Sequence, residues 1–138
     1  MKTVVYVAAP VAGWLVAQSI KFILTLRQDG VTVSDAFQSG GMPSSHSAFM
    51  VALTTVIGIN EGIDTAIFGL SLAVSAVVMY DARGVRLATG QQTEAIKKLA
   101  KKAGIKMEIT NARGHRIIEV AAGAVIGVLV GYVINVIL

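Results

Sequence analysis

From Ile117 to Leu138 the chain runs for 22 residues with one charged side chain, Glu119. A hydrocarbon core about 30 Å thick is crossed by about 20 helical residues. This segment therefore has the length and composition of a transmembrane helix, which constrains the fold more than any other stretch. Three further apolar segments precede it: Val4 to Leu26, Ser47 to Ile59 and Ile63 to Tyr80. In lipid, backbone polar groups must be satisfied internally, and a helix does this within one segment. The expected fold class is all-α: one membrane domain over residues 1–138, a helical bundle of about four transmembrane helices. Composition agrees, with 54% hydrophobic and 14% charged residues against about 25% charged in a soluble domain. The second segment is short, and a start near Ser44 would lengthen it. Met1-Lys2-Thr3 and the apolar run behind it resemble a signal peptide. That run is too long and has no convincing cleavage site, so it reads as a retained span. The chain has no cysteine, which excludes disulfides and thiolate metal sites.

Positive charge orients the bundle. Nine of the 12 Lys and Arg residues fall between Arg83 and Arg116, two more (Lys21 and Arg27) lie at the end of the first segment, and Lys2 lies at its start. By the positive-inside rule, the loops 27–45 and 81–116 lie on the cytoplasmic face of a cell inner membrane. Both termini and the short turn Asn60-Glu61-Gly62 then lie outside. Lys21, Arg27, His46, Asp81, Arg83, Arg86, Arg113, His115 and Glu119 all come to one face, although polar residues end spans in any membrane protein. Within the second loop, Ala95, Ile96, Leu99, Ala100 and Ala103 recur at helical spacing, with Lys97, Lys98, Lys101 and Lys102 opposite. Thr93 to Lys106 is expected to be a short basic amphipathic helix, suited to an anionic leaflet or to plain solvation. No aromatic residues interleave with these lysines, so nucleic acid is not an expected partner.

The two histidines of the chain both stand where a polar segment turns into an apolar one, in Gly40-Gly41-Met42-Pro43-Ser44-Ser45-His46-Ser47 and in Gly114-His115-Arg116-Ile117-Ile118-Glu119. Cleaving a phosphate ester needs cations or amides for the oxygens, an in-line nucleophile and an acid for the leaving alkoxide. His115 and Glu119 are four apart on one helix face, so the carboxylate can orient the ring of a histidine nucleophile. His46 can serve as the acid. Pro43 fits a first helical turn, and that helix start would aim amides at an anion, with the Ser44 and Ser45 hydroxyls beside it. Arg83 and Arg86, with Lys21 or Arg27, supply charge. Each residue also has a structural reading: interfacial anchors for the histidines and arginines, N-caps for the serines. Glu119 lies about a turn inside an apolar span, where a carboxylate is costly unless paired. Asp81 has a weaker claim of the same kind. His115 and Glu119 have spacing compatible with a metal pair, but two histidines and scattered acids make a poor zinc site, and no metal is expected. Gly123, Gly127 and Gly131 form a small-residue stripe for helix packing within the chain or between copies.

These blocks resemble the superfamily of type 2 phosphatidic acid phosphatases and vanadium haloperoxidases. Met42-Pro43-Ser44-Ser45-His46-Ser47 is similar to its Pro-Ser-Gly-His motif, with Ser45 in the glycine place. His115-Arg116-Ile117-Ile118-Glu119 is similar to its His-x-x-x-Asp motif, with Glu119 for the aspartate. Together with Tyr80-Asp81-Ala82-Arg83-Gly84-Val85-Arg86, Gly90-Gln91 and Gly123, they resemble the divergent branch over almost the whole chain. The resemblance implies that His115 becomes a phosphohistidine, that Glu119 orients it, and that His46 is the general acid. Ser45 and neighbouring amides would hold phosphate with Ser44, Lys21, Arg83, Arg86 and Arg113; Asp81, Gln91 and Arg27 would give support. Two departures stand out: Gln28 follows Arg27 where the family has proline, and Ile109 occupies the arginine position six before His115.

The expected activity is a metal-independent lipid phosphatase with no cofactor, acting on phosphatidate, phosphatidylglycerophosphate or a polyprenyl phosphate. The expected partners are membrane lipids and the lipid phosphate itself. A homodimer completing the site is a further expectation, from small size and the glycine stripe. Haloperoxidase activity is not expected. The alternative is a non-enzymatic membrane protein that binds anionic lipid or joins a larger complex.

Overall fold

The computed structural model describes residues 2–27, 41–106 and 116–138. Among these it holds four α-helices and no strand: α1 (Lys2–Leu26), α2 (Ser45–Glu61), α3 (Ala66–Lys102) and α4 (Ile117–Ile137). Two helical stretches, Thr3–Leu26 and Ile117–Ile137, are long and apolar enough to cross a membrane, and Ala66–Ala82 is a shorter apolar stretch.

The distribution of side chains is that of a bundle in lipid. The buried positions carry small or polar residues, among them Ala9, Ala17, Ala48, Ala52, Ser47 and Ser75. The large aliphatics Val4, Leu70, Val125, Leu129 and Val136 face outward. A soluble core would reverse this arrangement. In lipid it follows from close helix approach through small residues, with the bulky side chains left to the acyl chains.

α2 is the central helix and packs on the other three. α4 lies against it through the glycine stripe. A Cβ at Gly123 would stand 2.2 Å from the Ser44 carbonyl oxygen; one at Gly127 would stand 2.8 Å from that of Ala48, and one at Gly131 2.8 Å from that of Ala52. Each step of four on α4 meets a step of four on α2 in the same direction, so the two helices run parallel. The stripe is thus used inside the chain and gives a homodimer no support. α1 runs antiparallel to α2. Its buried line Val5, Ala9, Gly13, Ala17 and Lys21 recurs every four residues, and a Cβ at Gly13 would stand 2.9 Å from the Ala48 carbonyl oxygen. α3 also runs antiparallel to α2, joined to it by buried hydroxyls: Thr54 Oγ1 and Ser75 Oγ lie 2.8 Å apart, and the Ser75 hydroxyl donates to the Met50 carbonyl at 3.3 Å. The end of α1 and the starts of α2 and α4 therefore meet at one end of the bundle.

Two local expectations are corrected. Thr93 to Lys102 is not a separate short helix; it is the last part of α3, which runs unbroken for 37 residues. The stretch from Asp81 to Gln92 has no proline, and its Ala, Arg, Leu and Gln are good helix formers, so nothing stops the helix at the end of the apolar run. It stops instead at Gly104, whose φ of +72° is suited to glycine. Pro43 is not in the first turn of α2. Ser44 is the N-cap, and Pro43 precedes it, following Met42 through a cis peptide bond.

Candidate functional site

The site is built where α2 starts. Gly41 has φ +85°, a backbone state that other residues rarely adopt. It turns the chain toward Ser44, whose Oγ accepts the Ser47 N–H at 3.4 Å and the Ser47 hydroxyl at 3.0 Å. Ser44 is fully buried, so its hydroxyl acts as a helix cap. Its N–H donates to the Glu119 carbonyl at 2.9 Å. That one backbone bond ties the first histidine block to the second across more than seventy residues of sequence. Helix geometry leaves the N–H groups of Ser45 and His46 outside the α2 ladder, at the positive end of the helix.

Lys21 comes to the same place from α1. It is only 7% exposed, and its stem packs on Gly41, where a Cβ would stand 3.5 Å from Lys21 Cδ. Glu119 comes from α4. Its Oε2 accepts the Arg116 N–H at 3.1 Å, so the carboxylate caps its own helix in the way expected of a glutamate at the third position.

His46 is exposed and stands at a groove of about 400 Å³ lined by Trp14, His46, Phe49, Met50 and Val78. The groove lies between α1, α2 and α3 and is almost wholly apolar. Its aromatic and aliphatic residues belong to none of the sequence motifs and carry no signal that sets them apart in an apolar sequence. Trp14, the single tryptophan of the chain, was the nearest to one.

The structure thus brings together Lys21, Ser44, Ser45, His46 and Glu119. Asp81 is exposed, one turn beyond Val78 on α3. Gln91 lies farther out, about 20 Å along α3 from Val78. Arg27 is exposed just past α1. Arg113 and His115 lie outside the described residues, as do the side chains of Arg83 and Arg86, whose backbone belongs to α3. Among the described residues no group of three or more acids and histidines could hold a metal ion.

The family described as "Divergent PAP2 family" matches residues 3–130. An uncharacterized membrane protein of Bacillus subtilis (strain 168), YuiD, is 32% identical over 143 residues, covering 92% of this chain and 89% of that protein. No solved structure matches the chain.

Proposed function

The chain belongs to the divergent PAP2 family, and from that membership we propose that it is a membrane lipid phosphatase working through a phosphohistidine. The single observation that carries the proposal is the meeting of Lys21, the α2 start with His46, and Glu119 at one end of the bundle, with an apolar groove leading away from them. A cation, a helix start and an acid–base group beside a greasy slot suit a substrate with a charged head and a hydrocarbon tail. The four helices cross the inner membrane, with this end on the cytoplasmic side where most of the lysines and arginines fall. α2 is short for a span, but its three helical neighbours shield it from lipid.

The phosphate oxygens bind at the Ser45 and His46 amides and at Lys21, with Arg83, Arg86 and Arg113 adding charge and Asp81 and Arg27 giving support. His115, oriented by Glu119, attacks phosphorus. The phosphorus–oxygen ester bond breaks, and His46 gives its proton to the departing alkoxide. Water then gives a proton to His46 and attacks the phosphohistidine; the phosphorus–nitrogen bond breaks, phosphate leaves, and both imidazoles are restored. No step requires a metal or cofactor. Phosphatidate, phosphatidylglycerophosphate and polyprenyl phosphates all have the required head and tail.

The test is phosphate release by the purified protein from these lipids in mixed micelles containing EDTA. His115→Ala is expected to lower turnover at least about a thousandfold and to leave the protein folded. Full activity in that variant would sink the assignment. The second reading is a protein that binds anionic lipid without turning it over, favoured by Glu119 Oε2 already capping α4. Under that reading no lipid releases phosphate, and His115→Ala changes nothing.

A further inference from the structure

α1 and α3 each pack on α2, yet among the described residues no Cα of one lies within 8 Å of a Cα of the other. Between them runs the groove of about 400 Å³ at His46, at the small end of the range for ligand pockets. Trp14 on its wall is 41% exposed, so in a bundle surrounded by lipid the groove opens sideways. Its inner end is chemically defined. His46 lines it, and in the proposed reaction His46 protonates the leaving oxygen. Phe49 and Met50, which also line it, follow His46 by three and four residues on α2. They share its helix face and lie about 4.5 to 6 Å farther along the axis. Trp14 and Val78 flank them from α1 and α3. Besides His46, the Trp14 indole N–H is the one side-chain donor among these residues. The first atoms beyond the leaving oxygen therefore meet apolar walls.

We propose that the substrate is a lipid whose hydrocarbon chain begins at the phosphate oxygen, as in polyprenyl phosphates. It enters sideways between α1 and α3, and its first carbons lie against Trp14, Phe49, Met50 and Val78. The inference rests on the lipid phosphatase reading and narrows it. The candidate lipids differ in the atoms that follow the leaving oxygen. In phosphatidate two ester groups stand there, each with a carbonyl that needs a donor. In phosphatidylglycerophosphate a charged phosphodiester follows the glycerol. A polar group taken into an apolar site without partners is costly, and a charged one more so. In a polyprenyl phosphate these atoms are carbons, and the groove takes them without that cost.

The single tryptophan makes binding readable, because bromine near an indole ring quenches its fluorescence. Three lipids with brominated chains are titrated by mole fraction into the full chain in detergent. They are a single-chain alkylphosphonate, the methylene-phosphonate analogue of phosphatidate, and the alcohol of the same single chain. None has a phosphate ester bond, so the reading does not depend on turnover. The alcohol gives the quenching due to mixing in the detergent alone. The alkylphosphonate is expected to half-quench at about tenfold lower mole fraction than either of the others. Val78→Phe, which fills the groove, should raise that mole fraction about tenfold. Met50→Gln, which adds a donor to the wall, should bring the phosphatidate analogue within about threefold of the alkylphosphonate. Equal quenching by the two phosphonates in the unaltered protein would overturn the proposal. So would an alkylphosphonate that quenches no better than the alcohol, or a preference that neither substitution moves. Phosphate release from polyprenyl phosphate and from phosphatidate is measured beside these titrations. A protein that prefers the alkylphosphonate yet releases phosphate from neither ester loses the phosphatase reading and keeps this one. Equal release from both esters keeps the phosphatase reading and overturns this one.

Discussion

The two ends of the bundle are held by different parts of the chain. At the end with the histidine blocks, backbone groups take part in the closure: the Ser44 N–H donates to the Glu119 carbonyl, the Arg116 N–H donates to Glu119 Oε2, and Gly123 lies against the Ser44 carbonyl. At the opposite end, side chains bond to side chains. The Tyr6 hydroxyl donates to Glu61, and the Asn60 amide donates to Asn135. The difference has a physical consequence. The proposed reaction draws its cation and its acid, Lys21 and His46, from the first end. The paired side chains of the second end hold helix to helix. Substitution of the exposed His46 at the first end should change activity more than stability, and substitutions of the paired side chains at the second should do the reverse.

The largest expected effect tests the first half of that statement. His46 is exposed and sits at the mouth of the groove, and in the proposed reaction it protonates the leaving alkoxide. His46→Ala should lower kcat by about 10²- to 10⁴-fold, the usual range for loss of a general acid. The thermal midpoint in detergent should stay within a degree or two. Esters with activated leaving groups, such as nitrophenyl phosphates, should recover most of the loss, because their alkoxide needs no proton. A variant that loses activity on both ester types alike would assign His46 to structure instead.

A smaller effect separates the two roles of glycine. Gly123→Ala would drive a Cβ to 2.2 Å from the Ser44 carbonyl oxygen, which no rotamer can relieve. The cost is about 3 kcal/mol, at the upper end for overpacking. It should also displace the bond between Ser44 and Glu119, and activity with it. Gly69 has nothing within 4 Å of an added Cβ, and Gly69→Ala is the matched control. It should be neutral or stabilise slightly, since alanine is the better helix former. Urea or thermal unfolding of both variants in the same micelle decides whether close approach, rather than glycine as such, holds α4 in place.

Much of this was legible in the sequence, for identifiable reasons. The order of the apolar runs reported itself through length and charge, and the lysines and arginines predicted which helix ends would meet. The glycine stripe announced a packing face, but its partner depended on register. Only the structure shows Gly123, Gly127 and Gly131 falling on Ser44, Ala48 and Ala52. The extension of α3 is not marked in the sequence, because the polarity change after Tyr80 ends an apolar run without ending a helix. Polarity marks where a membrane stops, whereas helices stop at residues such as Gly104. The groove was invisible because Trp14, Phe49, Met50 and Val78 look like any lipid-facing residues until three helices bring them together.

The smallest effect tests the second half of the comparison. Asn135 lies near the end of α4, and its side-chain carbonyl accepts from the Asn60 amide, whose Nδ2 also donates to the Val56 carbonyl at 3.1 Å. Interhelical hydrogen bonds of this kind contribute about 0.6 kcal/mol on average and up to about 1.7. Asn135→Leu should therefore destabilise by about 0.6 kcal/mol or less and leave kcat/KM unchanged. Because Asn60 keeps its bond to Val56 within α2, the loss should stay at the low end. Asn60→Leu removes both bonds and should cost more. If Asn135→Leu lowered kcat/KM tenfold while barely moving the unfolding midpoint, the two ends would be coupled through α2 and α4, and the division of labour between them would be lost.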